Sequence, residues 1–164
     1  VIYIGIDPGV DGAVAVFDPQ HHTLRVVDMP CVTLRVNRSH RQRVSAALLA
    51  SDLAPLAAAA PSSAVRAWVE EVGAMPGQGV ASMFAFGKSA GIIEGVLAGL
   101  GFSYSLVPPP VWKRATRAGV GKDAARARAA QLFPHQADLF RRAKDHGRAD
   151  AALIAFYGAE FGNS

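Results

Sequence analysis

The sequence predicts a mixed α/β fold in which helices cover both faces of one sheet, and two observations predict it. Three strand-like runs follow one another at the N-terminus, and strands then alternate with helical stretches. The resulting order is three strands, helix, strand, helix, strand, then helices, a plan that buries the apolar stripe of each helix against a sheet.

Residues Ile2 to Asp7 alternate Ile2, Ile4 and Ile6 with Tyr3, Gly5 and Asp7, the period of a strand with two unlike faces, one of which carries an acid. Pro8-Gly9 and Asp11-Gly12 supply turn chemistry before Ala13 to Phe17 restarts a strand, so the pair reads as a hairpin. Thr23 to Met29 makes the third strand. The stretch from Pro30 to Arg43 is polar and basic, with Arg35, Arg38, His40, Arg41 and Arg43, and it leads into a helical spacing from Val44. Pro55 is expected to kink or split that helix. Val65 to Val72 reads as the fourth strand, Gly73 to Gly79 as a mobile loop, and Val80 to Leu100 as a long helix stopped by Gly101. Ser103 to Val107 is a short strand, and Pro108 to Pro110 are expected to hold an extended loop. A short helix at Val111 to Thr116 follows, then a break at Gly119-Val120-Gly121 and a helix from Asp123 to Phe133. The last helix is expected over Arg148 to Phe161, apolar at Ala149, Leu153, Ile154 and Tyr157.

With 164 residues, 51% of them apolar, the chain suits one domain spanning residues 1–164, without internal repeats. No uninterrupted apolar run approaches the roughly 18 residues of a membrane span, so no membrane partner is expected. The N-terminus opens into a strand rather than a signal peptide, and the single cysteine, Cys31, is consistent with a reducing cytoplasm. A net charge of +4 points to an anionic partner such as nucleic acid. Between Val111 and Arg148 the basic residues Lys113, Arg114, Arg117, Lys122, Arg126, Arg128, Arg141, Arg142, Lys144 and Arg148 face only Asp123, Asp138 and Asp145. That is the footprint a phosphate backbone needs.

Asp7, Glu70 and Asp150 are acids set in or at the edge of strongly apolar elements, where a lone buried carboxylate is costly and must be neutralised, paired or metal-bound. His146 lies four residues before Asp150, on the same helix face. Together they suit an oxygen-rich, partly nitrogen-ligated site for Mg²⁺ or Mn²⁺. Each has a plainer alternative: Asp7 as a turn cap, His146 as a helix cap or surface residue, Glu70 as an edge-strand partner of Arg66, and the lysines as surface charge.

Ile4-Gly5-Ile6-Asp7-Pro8-Gly9, Val69-Glu70-Glu71-Val72 and His146-Gly147-Arg148-Ala149-Asp150-Ala151 resemble, in order and spacing, the acidic motifs of RuvC-type Holliday junction resolvases, the phage-like members above all. Val111-Trp112-Lys113 and Gly121-Lys122 fall where the family carries basic residues near DNA. The resemblance implies a ribonuclease H-like fold, with three antiparallel N-terminal strands followed by parallel ones. It also implies a homodimer that nicks four-way DNA junctions with two Mg²⁺, or Mn²⁺, per active site, in a bacterial or phage-infected cytoplasm. Asp7, Glu70, His146 and Asp150 are then the metal ligands, with Lys122 also catalytic, and Lys113, Arg114, Arg117, Lys122 and Arg126 meet DNA. Alternation along the strand puts only one of Glu70 and Glu71 on the Asp7 face, and the motif match selects Glu70. Two cations roughly 3.5–4 Å apart would activate a water and stabilise the departing oxygen. A branch-migration motor is left unidentified.

Two departures from the family matter. His146 stands where many members have Asp, which lowers the negative charge of the site and favours Mn²⁺ relative to Mg²⁺. Gly73 stands where many members have an aromatic wedge; Met75, Phe84 or Phe86 are the substitutes at hand, although helix core is the preferred assignment for the phenylalanines. Gly119-Val120-Gly121-Lys122 is not a Walker loop, because Thr116 replaces its first Gly and Asp123 its Ser or Thr. The alternatives to junction resolution are a ribonuclease H-like nuclease on an RNA–DNA hybrid or flap, and a junction-binding module with weak catalysis.

Overall fold

A computed structural model describes residues 1–36, 38–73, 77 and 79–162. The elements are β1 (Ile2–Asp7), β2 (Ala13–Asp18), β3 (Thr23–Asp28), β4 (Cys31–Val36), β5 (Ser39–Val44), α1 (Ala46–Ala59), β6 (Val65–Glu70), α2 (Val80–Gly99), β7 (Ser103–Val107), α3 (Pro109–Thr116), α4 (Lys122–Leu132) and α5 (His146–Glu160). Short 3-10 turns occupy Ser62–Ala64, Pro134–Phe140 and Ala143–Asp145.

Five strands form one sheet in the order β3-β2-β1-β6-β7. The first three pair antiparallel, whereas β6 runs parallel to β1 and β7 parallel to β6. The expected α/β class with a mixed sheet is therefore what the chain adopts. On one face Ile4, Ile6, Val65, Ala67 and Val69 pack against Leu49 and Leu53 of α1 and Ile93 and Leu97 of α2. On the other, Ala13, Ala15 and Phe17 pack against α5, whose Ala151, Ala152, Leu153, Ile154 and Ala155 are fully buried.

Helix α5 lies unusually close to β1. A Cβ on Gly5 would run into the backbone of Ala151 and Ala155, so only glycine lets the helix cross the strand there. A Cβ on Gly147 would likewise strike the Asp11 carbonyl, which seats the first turn of α5 on the β1–β2 loop. Farther along, the edge of the Phe17 ring meets Phe133, with centroids 5.2 Å apart.

Several local expectations change. The polar and basic segment from Pro30 to Arg43, to which the sequence assigned no element, forms a separate antiparallel hairpin of β4 and β5, so the strand bearing Glu70 is the sixth rather than the fourth. Helix α1 runs unbroken through Pro55, because the proline sits on the exposed side, where water can satisfy the carbonyl it leaves free. Only Pro108 is extended; Pro109 and Pro110 open α3, where a missing N–H costs nothing. Helix α5 begins at His146, two residues before the expected start. Gly101, at φ +74°, does end α2, with Phe102 N–H donating to Leu97 O at 3.0 Å. By length and composition α2 is apolar enough to cross a membrane, and Ser89, Ile93 and Leu97 are its buried residues. Of the expected loop from Gly73 to Gly79, Ala74, Met75, Pro76 and Gln78 lie outside the described residues.

Gly5→Ala is expected to destabilise the protein by roughly 3 kcal/mol or more in a chemical denaturation series, because overpacking against rigid backbone has no flexible side chain to absorb it.

Candidate active site

The alternation of β1 sets Tyr3, Gly5 and Asp7 on the face that α5 covers, and leaves Ile4 and Ile6 for α1 and α2. In β6, Val65, Ala67 and Val69 occupy the α1–α2 side, so Glu70 belongs to the α5 side and Glu71, exposed, to the other. Parallel pairing aligns Ile6 with Val69, which brings Asp7 and Glu70 to the same end of neighbouring strands. Asp150, one turn into α5, completes the group just before the Ala151 backbone that rests on Gly5.

The carboxylates act on one another. Burial pushes Asp7 well above the usual carboxylate range, and the charges of Asp150 and Glu70 push it further, while Lys113 opposes the rise. Burial raises Glu70 as well, opposed by the Trp112 hydrogen bond and by Lys113. Asp150 is pushed up to about 6 by burial and by Glu70, against Lys113 and Lys122. Three acids that resist ionisation together make a site that favours a cation. Among the described residues Asp7 accepts no side-chain hydrogen bond, so the turn-cap role does not hold. Neither does the edge-strand role for Glu70, because β6 lies between β1 and β7.

Trp112, on α3, is fully buried and donates its indole N–H to Glu70 Oε2 at 2.9 Å. It also carries the Lys113 ammonium 5.1 Å from its ring centroid. The sequence points to Lys113 in this stretch and not to Trp112 as a site residue; a Trp beside a Lys in a polar helix is the signal available for it. His146, at the start of α5, shares with Asp7 a cleft of about 510 Å³ bounded by Pro8 to Gly12, by Phe86 and Ser89 of α2 and by Gln42 and Arg43 of β5. Its Nε2 lies 3.5 Å from Lys122 Nζ. No three His, Cys, Asp or Glu side chains among the described residues converge tightly enough to hold one ion as they stand.

The start of α5 is pinned from two sides. Arg148 forms a two-pronged pair with Asp28 of β3, at 2.6 and 2.8 Å. Asp145, buried, accepts from the Arg142 backbone at 2.8 Å and from its guanidinium. Both pairs lower the carboxyl affinity for protons through the arginine hydrogen bonds.

The basic footprint is smaller than its composition implies. Arg126, expected on DNA, donates inside the protein to Phe140 O, Arg141 O and Asp123 at 3.2, 3.0 and 2.6 Å. Arg128 reaches Thr116 O, Arg141 pairs with Asp138, and Arg142 and Arg148 serve the α5 start. Lys113, Arg114, Arg117 and Lys122 stay exposed and outside any ion pair among the described residues. The phenylalanines also depart from expectation. Phe84 is 76% exposed, and Phe86 lines the Asp7 cleft, so neither fills the core. Met75 lies outside the described residues.

Two predictions follow from this geometry. In metal-free protein, the folded state holds the Asp150 proton more tightly than the unfolded chain does, so this group's stabilisation is complete below its ordinary carboxylate value and is lost as pH rises through about 6. Asp150→Asn should therefore gain stability over wild type as pH rises, towards an upper bound of about 3 kcal/mol, read by denaturation in EDTA. Trp112→Phe removes a hydrogen bond that lowers Glu70, so carboxyl NMR should find Glu70 titrating higher than in wild type.

No family model matches the chain. Over 116 residues, 68% of its length, it is 40% identical to the chloroplastic Holliday junction resolvase MOC1 of Chlamydomonas reinhardtii. The chain spans 13% of that relative's length. Its fold matches T. thermophilus RuvC in complex with a Holliday junction substrate, with a TM-score of 0.61 and 15% identity over 99% of this chain and 96% of that one. A second Thermus thermophilus RuvC structure gives a TM-score of 0.57 and 16% identity over the same shares. The chain thus has the fold of RuvC and a Holliday junction resolvase as a relative in sequence, the resemblance its three acidic motifs led us to expect.

Proposed function

We propose that residues 1–164 form one nuclease domain that resolves four-way and related branched DNA junctions by divalent-metal-dependent phosphodiester hydrolysis, a crossover junction endodeoxyribonuclease acting as a homodimer. The observation that carries this reading is the electrostatic coupling of Asp7, Glu70 and Asp150 at one end of β1, β6 and α5.

The donor set fits a hard divalent cation: carboxylate oxygens, a nearby imidazole, and proton affinities raised by burial and like charge that a cation would relieve. Asp7, Glu70 and Asp150 would hold two Mg²⁺, or Mn²⁺, with His146 joining once its Nε2 is released from Lys122. Bound there, the ions supply an activated water and charge stabilisation for the departing 3′ oxygen. Trp112 fixes one Glu70 oxygen and leaves the other free. Lys113 and Lys122 stand beside the carboxylates, placed to offset the charge of the scissile phosphate. The pairs Arg148–Asp28 and Arg142–Asp145 hold the helix that carries His146 and Asp150.

Paired nicks need two sites, and the outward face of α2, with Val80 and Phe84 exposed and Gly91 and Gly95 farther along, supports a two-fold contact between copies. Phe86, on the wall of the Asp7 cleft, takes the place of the aromatic absent at Gly73.

Wild type is expected to make paired nicks in a labelled four-way junction with Mg²⁺ or Mn²⁺ and none in EDTA, and Asp7→Asn none under any condition. Preferential cutting of an RNA–DNA hybrid would replace this reading with a ribonuclease H-like one. Tight junction binding without cutting would replace it with a binding module. His146→Ala is expected to cut at least tenfold more slowly and to need more metal; an unchanged rate and metal requirement would remove His146 from the ligand set.

A further inference from the structure

We propose that Val120, at the tip of the loop between α3 and α4, is an apolar wedge that presses on an unstacked base beside the cleaved phosphate and so favours branched over linear DNA. The inference rests on the nuclease reading and adds a specificity-determining residue outside the acidic cluster.

Val120 is 99% exposed, more than any other large apolar side chain among the described residues. Single exposed apolar residues are ordinary on protein surfaces, but two features set this one apart. The first is a fixed backbone. Gly119 and Gly121, on either side of the tip, are left-handed at φ +74° and +90°, and Arg117 takes φ +57° at the end of α3. Ala118, buried, donates its N–H to Lys113 O at 3.0 Å, and Ala125 N–H donates to Gly121 O at 3.3 Å. A Cβ on Gly119 would meet that of Ala124 at 2.9 Å, so the loop packs closely on α4. The tip is held outward although its side chain packs on nothing.

The second feature is its surroundings. Arg114, Arg117 and Lys122 are exposed on either side of the tip, and Asp123, the sole acid from Val111 to Gln136, is held by Arg126 at 2.6 Å. Lys122 reaches the catalytic cleft, with its Nζ 3.5 Å from His146 Nε2. Val120 precedes that lysine by two residues, so their Cα atoms lie within about 7 Å, or roughly two nucleotide steps along a strand. A phosphate drawn to Lys122 therefore brings a neighbouring base to Val120.

A valine gains nothing from phosphate. Set among cations that take the backbone, it gains only by covering an apolar surface, and on DNA that surface is a base face or a sugar. In uninterrupted duplex the base faces cover one another, and a wedge must unstack them to enter. A branch point presents a step that is already open. Gly119-Val120-Gly121-Lys122, which fails as a Walker loop, thus pairs a base-sensing tip with a phosphate-facing lysine.

The test uses the full chain and its Val120→Ser and Val120→Leu variants in EDTA. The probes are a four-way junction with 2-aminopurine beside the branch point and a linear duplex with the same label. Fluorescence anisotropy over a salt series reads affinity, and 2-aminopurine brightness reads unstacking. Val120→Ser is expected to bind junction roughly tenfold more weakly, as loss of a buried valine implies. Its salt slope should not change, because an apolar contact releases no counterion. Its duplex affinity and unfolding temperature should match wild type, the 2-aminopurine signal should fall towards that of free junction, and Val120→Leu should behave as wild type. Unchanged junction affinity and brightness overturn the inference, and so does an equal loss on junction and duplex. A shallower salt slope also overturns it, since that marks a backbone contact, as does an altered sedimentation mass, which makes the loop a contact between copies. If wild type cuts junction in Mn²⁺ and Val120→Ser is indistinguishable from it, the wedge falls and the nuclease reading stands. A Val120-dependent preference for junction in a wild type that never cuts supports the wedge and removes the nuclease reading.

Discussion

The contact of α5 with β1 at Gly5 governs the rest of the molecule. It is set by the absence of one methyl group, and it decides how near Asp150 can come to Asp7. A helix standing off the strand by an ordinary packing distance would leave Asp7 and Glu70 on the sheet without their third carboxylate. The same helix delivers His146 to the cleft, and its seating on the β1–β2 loop depends on a second close approach at Gly147. Apolar packing of α5, almost wholly through alanine and branched aliphatic side chains, is what keeps so short a separation filled rather than hollow.

That geometry puts charge where the fold alone gains nothing from it. Asp7, Glu70 and Asp150 are all raised by burial, and like charge adds to the rise for Asp7 and Asp150. Elsewhere the chain neutralises its acids locally: Asp28 by Arg148, Asp145 by Arg142, Asp123 by Arg126. The contrast separates acids that serve the scaffold from acids kept available for a ligand. Lys113, balanced over Trp112, opposes the rise at all three carboxylates and yet remains exposed.

Much of this was legible in the sequence, and for identifiable reasons. Strand period put Asp7 on a different face from Ile4 and Ile6, and the three acidic motifs named the residues that the fold gathers. The β4–β5 hairpin was missed because its arginines masked the alternation of Val32, Leu34 and Val36 in a stretch whose composition shows only that it is polar and basic. The prolines of α3 were misjudged because Pro109 and Pro110 fall within its first turn, where their cost vanishes. Arg126 looked like a DNA contact because charge counts do not show which guanidinium is already engaged within the protein; only its bonds to the backbone of Phe140 and Arg141 do. The hydrogen bond between Trp112 and Glu70 spans 42 residues of sequence and could come only from tertiary structure.

The proposed cation site draws its carboxylates from β1, β6 and α5. Its most direct test is the stoichiometry of Mn²⁺ binding to metal-free protein, by calorimetry and by the paramagnetic signal of free ion, without DNA. Wild type is expected to bind two ions per chain, and each of Asp7→Asn, Glu70→Gln and Asp150→Asn to lose at least one. Stoichiometry and affinity unchanged in all three variants would contradict it.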